Sequence, residues 1–301
     1  MSLLVTGTIG MDDLKTPFGE VRNVYGGSAV HFSFAAALFT PVRFVGVVGE
    51  DFSPEYRAFL QTRPIDLAGL EVRKGSKTFK WSGQYEGNMA EATTLNIELN
   101  VLAEAGPKIP PSFADSQFIF LAATHPVLQQ DLVRQLRSPR LIVADTRDLW
   151  ITTQREELLK TFGLVHGAIM NDGEARLLTE EHNLILAGRK ILGWGPKFVV
   201  LKKGEHGVML VTQDRVLTLP AYPTSHVIDP TGAGDSFAGG LMGYLATQPE
   251  PDFRALRRGL ACGTVTASYT IEDFSTNAIQ KVTMADVERR LKEYADMLAI
   301  G

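Results

Sequence analysis

The sequence has one cysteine, Cys262, in 301 residues, which excludes an internal disulfide and any metal site built from several thiolates. Cys262 lies in an apolar stretch and reads as a small buried hydrophobe. No run approaches the roughly eighteen apolar residues of a membrane-spanning helix. The first residues, Met1-Ser2-Leu3-Leu4-Val5-Thr6-Gly7, lack the basic region and the apolar length of a secretory leader. An excess of positive charge is missing too. The formal net charge is −4, which argues against nucleic acid or an anionic membrane as partner. There is no Gly-x-x-x-x-Gly-Lys-Ser/Thr phosphate loop, no internal repeat and no low-complexity tract. His125, His166, His182, His206 and His226 are scattered without metal-ligand spacing. What is left is 45% hydrophobic and 21% charged, an ordinary globular composition, and a cytoplasmic location is expected.

Short β-rich runs alternate with helical patterns, which predicts a mainly parallel sheet covered on both faces. Expected strands are Leu3–Gly7, Val42–Val48, Phe118–Ala122, Leu141–Asp145, Val165–Met170 and Phe198–Leu201, with a late hairpin over Val208–Val211 and Val216–Leu219. Expected helices include Ala29–Phe39, Pro54–Gln61, Gln129–Leu136, Gly173–Thr179, Leu184–Leu192, Ala233–Ala246, Phe253–Tyr269 and Met284–Leu298. One region breaks this rhythm. Phe79, Trp81, Gly83 and Tyr85 alternate with polar residues, and after the turn Glu86-Gly87-Asn88 so do Leu95, Ile97, Leu99 and Val101. Such period-two runs are half-exposed antiparallel strands, and with the polar, irregular Asp13–Tyr25 segment they predict a small separate sheet.

The most informative run is Asp229-Pro230-Thr231-Gly232-Ala233-Gly234-Asp235-Ser236-Phe237-Ala238-Gly239-Gly240. Pro230 ends the extended segment before it. Gly232-Ala233-Gly234 leaves backbone amides unobstructed at the start of an apolar helix, where free N–H groups and the dipole favour an anion. Asp235 would crowd a phosphate bound there, so its presence needs a chemical reason, and accepting a proton from an alcohol as a phosphoryl group arrives supplies one. A dinucleotide-binding turn does not fit. Phe237 occupies the third glycine position of that fingerprint, the run lies late in the chain, and Asp235 puts charge where a pyrophosphate would sit. A plain glycine-rich cap leaves the flanking Asp-Pro-Thr and Asp-Ser-Phe-Ala-Gly-Gly unexplained.

This run resembles, almost residue for residue, the C-terminal signature of the ribokinase-like (PfkB) carbohydrate kinases. The resemblance extends in motif order from Gly7 to about Asn277. It implies a ribokinase-like three-layer α/β/α sandwich with a mainly parallel central sheet. Residues 1–301 would form one kinase domain, with a small β-strand lid from segments at about 13–25 and 76–101. By the resemblance Asp235 is the catalytic base, and the amides of Gly232, Ala233 and Gly234 form the anion hole. Gly26-Gly27 resembles the N-terminal signature that lets acceptor approach the backbone, and Asp12 aligns with an aspartate that holds sugar hydroxyls. His31 stands where most members place asparagine, on the helix face shared with Gly27.

Asn171-Asp172-Gly173-Glu174 matches the family's Asn-x-x-Glu motif, assigned to Mg2+ held through water and to ATP, although the same residues also suit a helix cap. Leu201-Lys202-Lys203-Gly204-Glu205-His206-Gly207 resembles the nucleotide loop, with one of its two lysines able to reach a phosphate; Lys203, Gly204, Gly207 and Thr231 are the residues expected beside ATP. Val48-Gly49-Glu50-Asp51-Phe52 matches a structural motif, and Asp145 matches the family's Asp-Pro-Asn stretch until Thr146-Arg147 depart from it.

The expected activity is transfer of the γ-phosphoryl group of ATP to a hydroxyl of a sugar or sugar-like acceptor. A monovalent cation such as K+ and a homodimer formed through the lid belong to the same expectation. A nucleoside kinase on this scaffold is the alternative, because Phe79 and Trp81 on one strand face suit a flat ring. A sugar sensor without catalysis is the other, and the retained Asp235 argues against it. Sugars, polyols and nucleosides all stay open as acceptors, with cyclic ones favoured over open-chain sugar acids.

Overall fold

The structure is a computed structural model that describes residues 1–299. In chain order its strands are β1 (Leu3–Thr6), β2 (Gly10–Thr16), β3 (Gly19–Gly26), β4 (Val42–Gly49), β5 (Ile65–Arg73), β6 (Phe79–Tyr85), β7 (Ala92–Glu98), β8 (Phe118–Leu121), β9 (Leu141–Asp145), β10 (Gly167–Asn171), β11 (Phe198–Lys202), β12 (Val208–Thr212) and β13 (Val216–Leu219). The α-helices are α1 (Ser28–Ala36), α2 (Pro54–Leu60), α3 (Pro126–Val133), α4 (Asp148–Thr153), α5 (Arg155–Phe162), α6 (Asp172–Thr179), α7 (Leu184–Leu192), α8 (Ala233–Leu245), α9 (Phe253–Thr270) and α10 (Met284–Leu298).

A nine-stranded sheet runs β13-β12-β11-β10-β9-β8-β1-β4-β5. From β11 to β5 every pairing is parallel, and β12 and β13 add an antiparallel edge. β8 (Phe-Ile-Phe-Leu) and β9 (Leu-Ile-Val-Ala-Asp) are buried along their whole length, as strands covered on both faces must be. One core joins the sheet to α1, α2, α8, α9 and α10, including Phe32, Tyr56, Leu241, Leu260 and Leu291. The other joins it to the helices between α3 and α7, through Leu132, Leu158, Leu178 and Ile191. The result is the expected three-layer sandwich.

A four-stranded sheet, β3-β2-β6-β7, forms the lid. It differs from the expectation in starting at Gly10, and the Asp13–Tyr25 segment enters it as two strands joined by a turn at Pro17-Phe18. In β2 the inward positions are Gly10, Asp12, Leu14 and Thr16, so its alternation carries little apolar signal. β5 was not anticipated either, although Ile65 and Leu67 point inward beside exposed Asp66 and Ala68. α4 and α5, also unanticipated, are short and polar, and α3 starts earlier than expected, at Pro126.

Candidate active site

The site gathers at the carboxyl ends of the parallel strands, where open α/β sheets leave a crevice. Asp145 ends β9, Asn171 ends β10 and Lys202 ends β11. The N-terminus of α8 meets them there. Gly232 caps that helix in a left-handed conformation (φ 73°), and no side chain caps it. A Cβ at Gly232 would collide with the His31 ring, so both backbone angle and space demand glycine. Of the three nominated amides, that of Ala233 already donates to the Pro230 carbonyl at 3.1 Å. The Gly234 and Asp235 amides donate to no carbonyl outside the helix, and in a first turn none is available within it. These amides are the free donors for an anion.

Asp229 fixes the turn before the helix. Its carboxylate accepts the Thr231 amide at 2.9 Å and the Ser275 amide at 2.8 Å. The Thr231 hydroxyl lies 3.2 Å from the Tyr85 hydroxyl at the end of β6, so the lid touches the turn that carries the anion site. Burial raises the Tyr85 phenol to about 12, which keeps it a neutral hydrogen-bonding group.

Asp235 follows the free Gly234 amide and is half-buried. Burial raises its carboxyl to about 6, Asp145 adds to the rise, and Lys202 and Arg147 oppose it. Lys202 is the central cation. Its Nζ lies 2.9 Å from Asp145 Oδ2 and beside the Gly234 backbone. Burial alone would depress its pKa, but Asp145, Glu174 and Asp235 outweigh that and raise it, so the ammonium stays charged.

The sequence leaves either of Lys202 and Lys203 to reach a phosphate, with Lys203 the expected one, and the structure puts Lys202 among the site carboxylates. Successive strand residues point to opposite faces, and Lys202 is the last residue of β11. Lys203 enters the turn to β12, where its amide donates to the Gly207 carbonyl at 2.8 Å. Gly204 (φ 54°) and Gly207 (φ 81°) shape that turn, at the same sheet edge as Lys202. Arg147, unassigned from sequence, is exposed at the start of α4 and lowers the carboxyls of Asp12, Glu174 and Asp235. Tyr85 could have been found from the alternation that singled out Phe79 and Trp81. Lys202 could have been preferred to Lys203 from the four buried residues that precede it.

Asn171 and Glu174 form a capping box at the start of α6. Asn171 Oδ1 accepts the Glu174 amide at 2.6 Å, and Glu174 Oε2 accepts the Asn171 amide at 2.7 Å. One Glu174 oxygen is left over. Burial raises the Glu174 carboxyl, followed by repulsion from Asp145, while Lys202 opposes both. Helix capping and a role beside phosphates are therefore compatible in the same residue. Among the described residues no cluster of three or more histidine, cysteine or carboxylate side chains forms a metal cage.

Among the residues expected to meet the acceptor, Gly27 (φ 101°) caps α1, and a Cβ there would strike the Thr8 carbonyl. Thr8 and Ser28 exchange bonds, with the Ser28 amide donating to Thr8 Oγ1 at 2.8 Å and the Thr8 amide to Ser28 Oγ at 3.0 Å. Asp12 packs against the Gly26 backbone and is 3% exposed. His31 is buried, and among the described residues neither ring nitrogen has a partner. Burial lowers its pKa to about 4, so the imidazole is neutral and presents one donor and one acceptor.

The two lid aromatics differ. Phe79 is buried and fills the space beside Gly10, so it packs the lid onto itself. Trp81 is half-exposed and donates from Nε1 to Thr94 at 3.1 Å. It stands in register with Asp12 across the parallel β2–β6 pair, which puts both on one face.

Burial raises the Asp12 carboxyl to about 7, and Asp229 adds to the rise. A carboxyl whose folded-state value lies above the ordinary 3.8 weakens the fold as pH climbs past 3.8, and fully so above about 7. Asp12→Asn should therefore raise the melting temperature at pH 8, with the gain shrinking toward pH 4. A shift of this size corresponds to an upper figure on the order of 2–4 kcal/mol, or several degrees. Calorimetry at both pH values checks it. A lower melting temperature at pH 8 would show that Asp12 supports the fold instead.

Residues 5–278 match the family model described as pfkB family carbohydrate kinase. The cytidine kinase of Thermococcus kodakarensis is 30% identical over 261 residues, covering 83% of this chain and 90% of that protein. The crystal structure of the Methanocaldococcus jannaschii nucleoside kinase superposes with a TM-score of 0.77 at 19% identity, covering 97% of this chain and 99% of that one. A Vibrio cholerae fructokinase with fructose, ADP and calcium bound gives 0.79 at 17% identity, covering 97% and 99%. At such identities the two structures speak to the fold.

Proposed function

The chain belongs to the pfkB family of carbohydrate kinases, and within it we propose that this kinase phosphorylates a nucleoside, moving the γ-phosphoryl group of ATP to a hydroxyl of the sugar ring. The observation that carries this reading is the 30% identity to a cytidine kinase across most of both chains. Trp81, half-exposed on the lid face that carries Asp12, supports it by offering a flat surface for a base.

Asp12 and the neutral His31 imidazole orient the acceptor hydroxyls against Gly26-Gly27. Asp235 takes the proton of the attacking hydroxyl as the new O–P bond forms and the bond from γ-phosphorus to ADP breaks. The free amides of Gly234 and Asp235 and the Lys202 ammonium hold the charge of the transferring group. Asn171 and Glu174 are the residues that would hold Mg2+ through water, and the ion supplies charge neutralisation at the phosphate oxygens when bound. Arg147, exposed at the start of α4, supplies a second cation near Asp12, Glu174 and Asp235. The Lys203–Gly207 turn and Thr231 are assigned to the rest of ATP.

A monovalent cation such as K+ beside the anion hole is part of this proposal, tested by turnover in potassium against choline chloride. So is a homodimer through the lid. Both faces of β7 are largely exposed, Leu95 and Ile97 among its residues, and sedimentation equilibrium reads the association directly.

The acceptor test is steady-state kinetics on cytidine, inosine, ribose, fructose and inositol. A nucleoside should give the highest kcat/KM, by about tenfold or more over free ribose, the scale expected when a stacked base adds binding energy realised in the transition state. Replacing Trp81 with alanine should shrink that preference. Ribose or fructose used better than every nucleoside would reject the nucleoside reading and leave the kinase reading standing.

A further inference from the structure

A second cavity lies at the opposite edge of the central sheet, where its parallel strands begin. Its volume is about 680 Å³, and Arg140, His166, Lys197, Arg215 and Arg254 line it. The first residues of β9 and β11, Leu141 and Phe198, form part of its wall. The last residues of those strands, Asp145 and Lys202, belong to the active site. At about 3.3 Å per residue the two sites are therefore roughly 13 Å apart along each strand.

The cations here are not spent on the fold. Among the described residues none of Lys197, Arg215 and Arg254 forms an ion pair. The cavity holds two carboxylates, Asp214 and Asp252, and Asp252 is committed to capping α9 through the Ala255 amide at 2.7 Å. Arg140 is anchored by the Pro249 carbonyl, and Arg215 is held over the Phe253 ring at 4.7 Å. Stacking in this way fixes the Arg215 guanidinium while leaving its N–H donors free. His166 Nδ1 accepts the Ile142 amide at 3.0 Å, so its neutral ring carries the proton on Nε2 and adds a donor. Between the charges the wall is apolar and aromatic, from Leu141, Phe198, Phe253 and Leu256.

We propose that this cavity is a second, non-catalytic site for a nucleoside phosphate, with Lys197, Arg215 and Arg254 on the phosphate and the apolar wall on the base. Guanidinium forks and an ammonium around a concave surface match phosphate oxygens, and aromatic walls match a nucleobase.

The test uses the full chain and adenosine 5′-monophosphate as probe, in equilibrium dialysis on the wild type and on a Lys202→Met, Asp145→Asn variant whose active site has lost its phosphate cation. The expected result is saturable binding that persists when the active-site cation is removed, weakened at least about tenfold by Lys197→Glu with Arg254→Glu. The milder Lys197→Gln with Arg254→Gln should weaken it in the same direction, which guards against a folding defect in the charge reversal. Asp12→Asn should leave it unchanged. Binding that Lys202→Met with Asp145→Asn abolishes, that ignores both charge-changing double variants, or that never appears would overturn the site. Displacement by inorganic phosphate as effectively as by unlabelled adenosine 5′-monophosphate would overturn the assignment of a nucleoside phosphate.

Discussion

Asp235→Asn is expected to lower kcat by about a hundredfold or more, the scale of removing a positioned general base, while ATP and acceptor still bind. Asparagine keeps the size and the hydrogen-bonding reach of the side chain but cannot accept the hydroxyl proton. The wild-type carboxyl is raised to about 6, so the free enzyme should show an acid limb in kcat/KM near that pH, with activity lost as pH falls through it. Asp12, raised to about 7, titrates close by and should broaden the limb on its alkaline side. The residual activity of Asp235→Asn should lack the component near pH 6. Rapid-quench measurement of the transfer step distinguishes lost chemistry from slow product release. Near-native turnover in this variant would remove Asp235 from the mechanism.

How far the sequence reveals this site depends on what kind of signal each residue leaves. The Asp229–Gly240 run is legible because phosphate binding at a helix start requires small residues at fixed offsets, and few other structures do. The parallel strands are legible because burial on both faces leaves continuous apolar runs, as in Phe118–Leu121. β2 hides because its buried positions include Asp12 and Thr16, polar residues in a strand interior. Lys202 hides for a different reason. Two adjacent lysines look alike in sequence, and only the strand register decides which one faces Asp145. The Thr231–Tyr85 contact joins residues 146 positions apart, beyond any local pattern.

The free amides also correct the picture of the anion hole in a way that sequence cannot. Gly-Ala-Gly suggests three equivalent donors, yet the Ala233 amide is used to close the Pro230 turn. The free donors lie one residue along, on Gly234 and Asp235. In the proposed mechanism the amide and the carboxylate of Asp235 would then serve opposite ends of one transfer, the amide on the phosphoryl oxygens and the carboxylate on the hydroxyl proton.

Lys202→Met should damage both stability and catalysis, and a second substitution separates the two. The Asp145 side chain is 5% exposed, and Lys202 is its cation at 2.9 Å. Removing the ammonium leaves a buried carboxylate without its partner, which typically costs roughly 3–5 kcal/mol. Adding Asp145→Asn removes that stranded charge, so the double variant should regain most of the lost melting temperature. It should not regain ATP use, because no cation then stands beside the Gly234 amide where the phosphoryl charge develops. A loss of about a hundredfold in kcat/KM for ATP is expected in both variants. The pH profile gives an independent sign. Lys202 lowers the Asp235 carboxyl and Asp145 raises it, so Lys202→Met alone should move the acid limb to higher pH, and the double variant should bring it part of the way back. If the double variant recovers ATP use along with stability, Lys202 serves only to neutralise Asp145, and the phosphoryl charge is held by the helix amides and Arg147 alone.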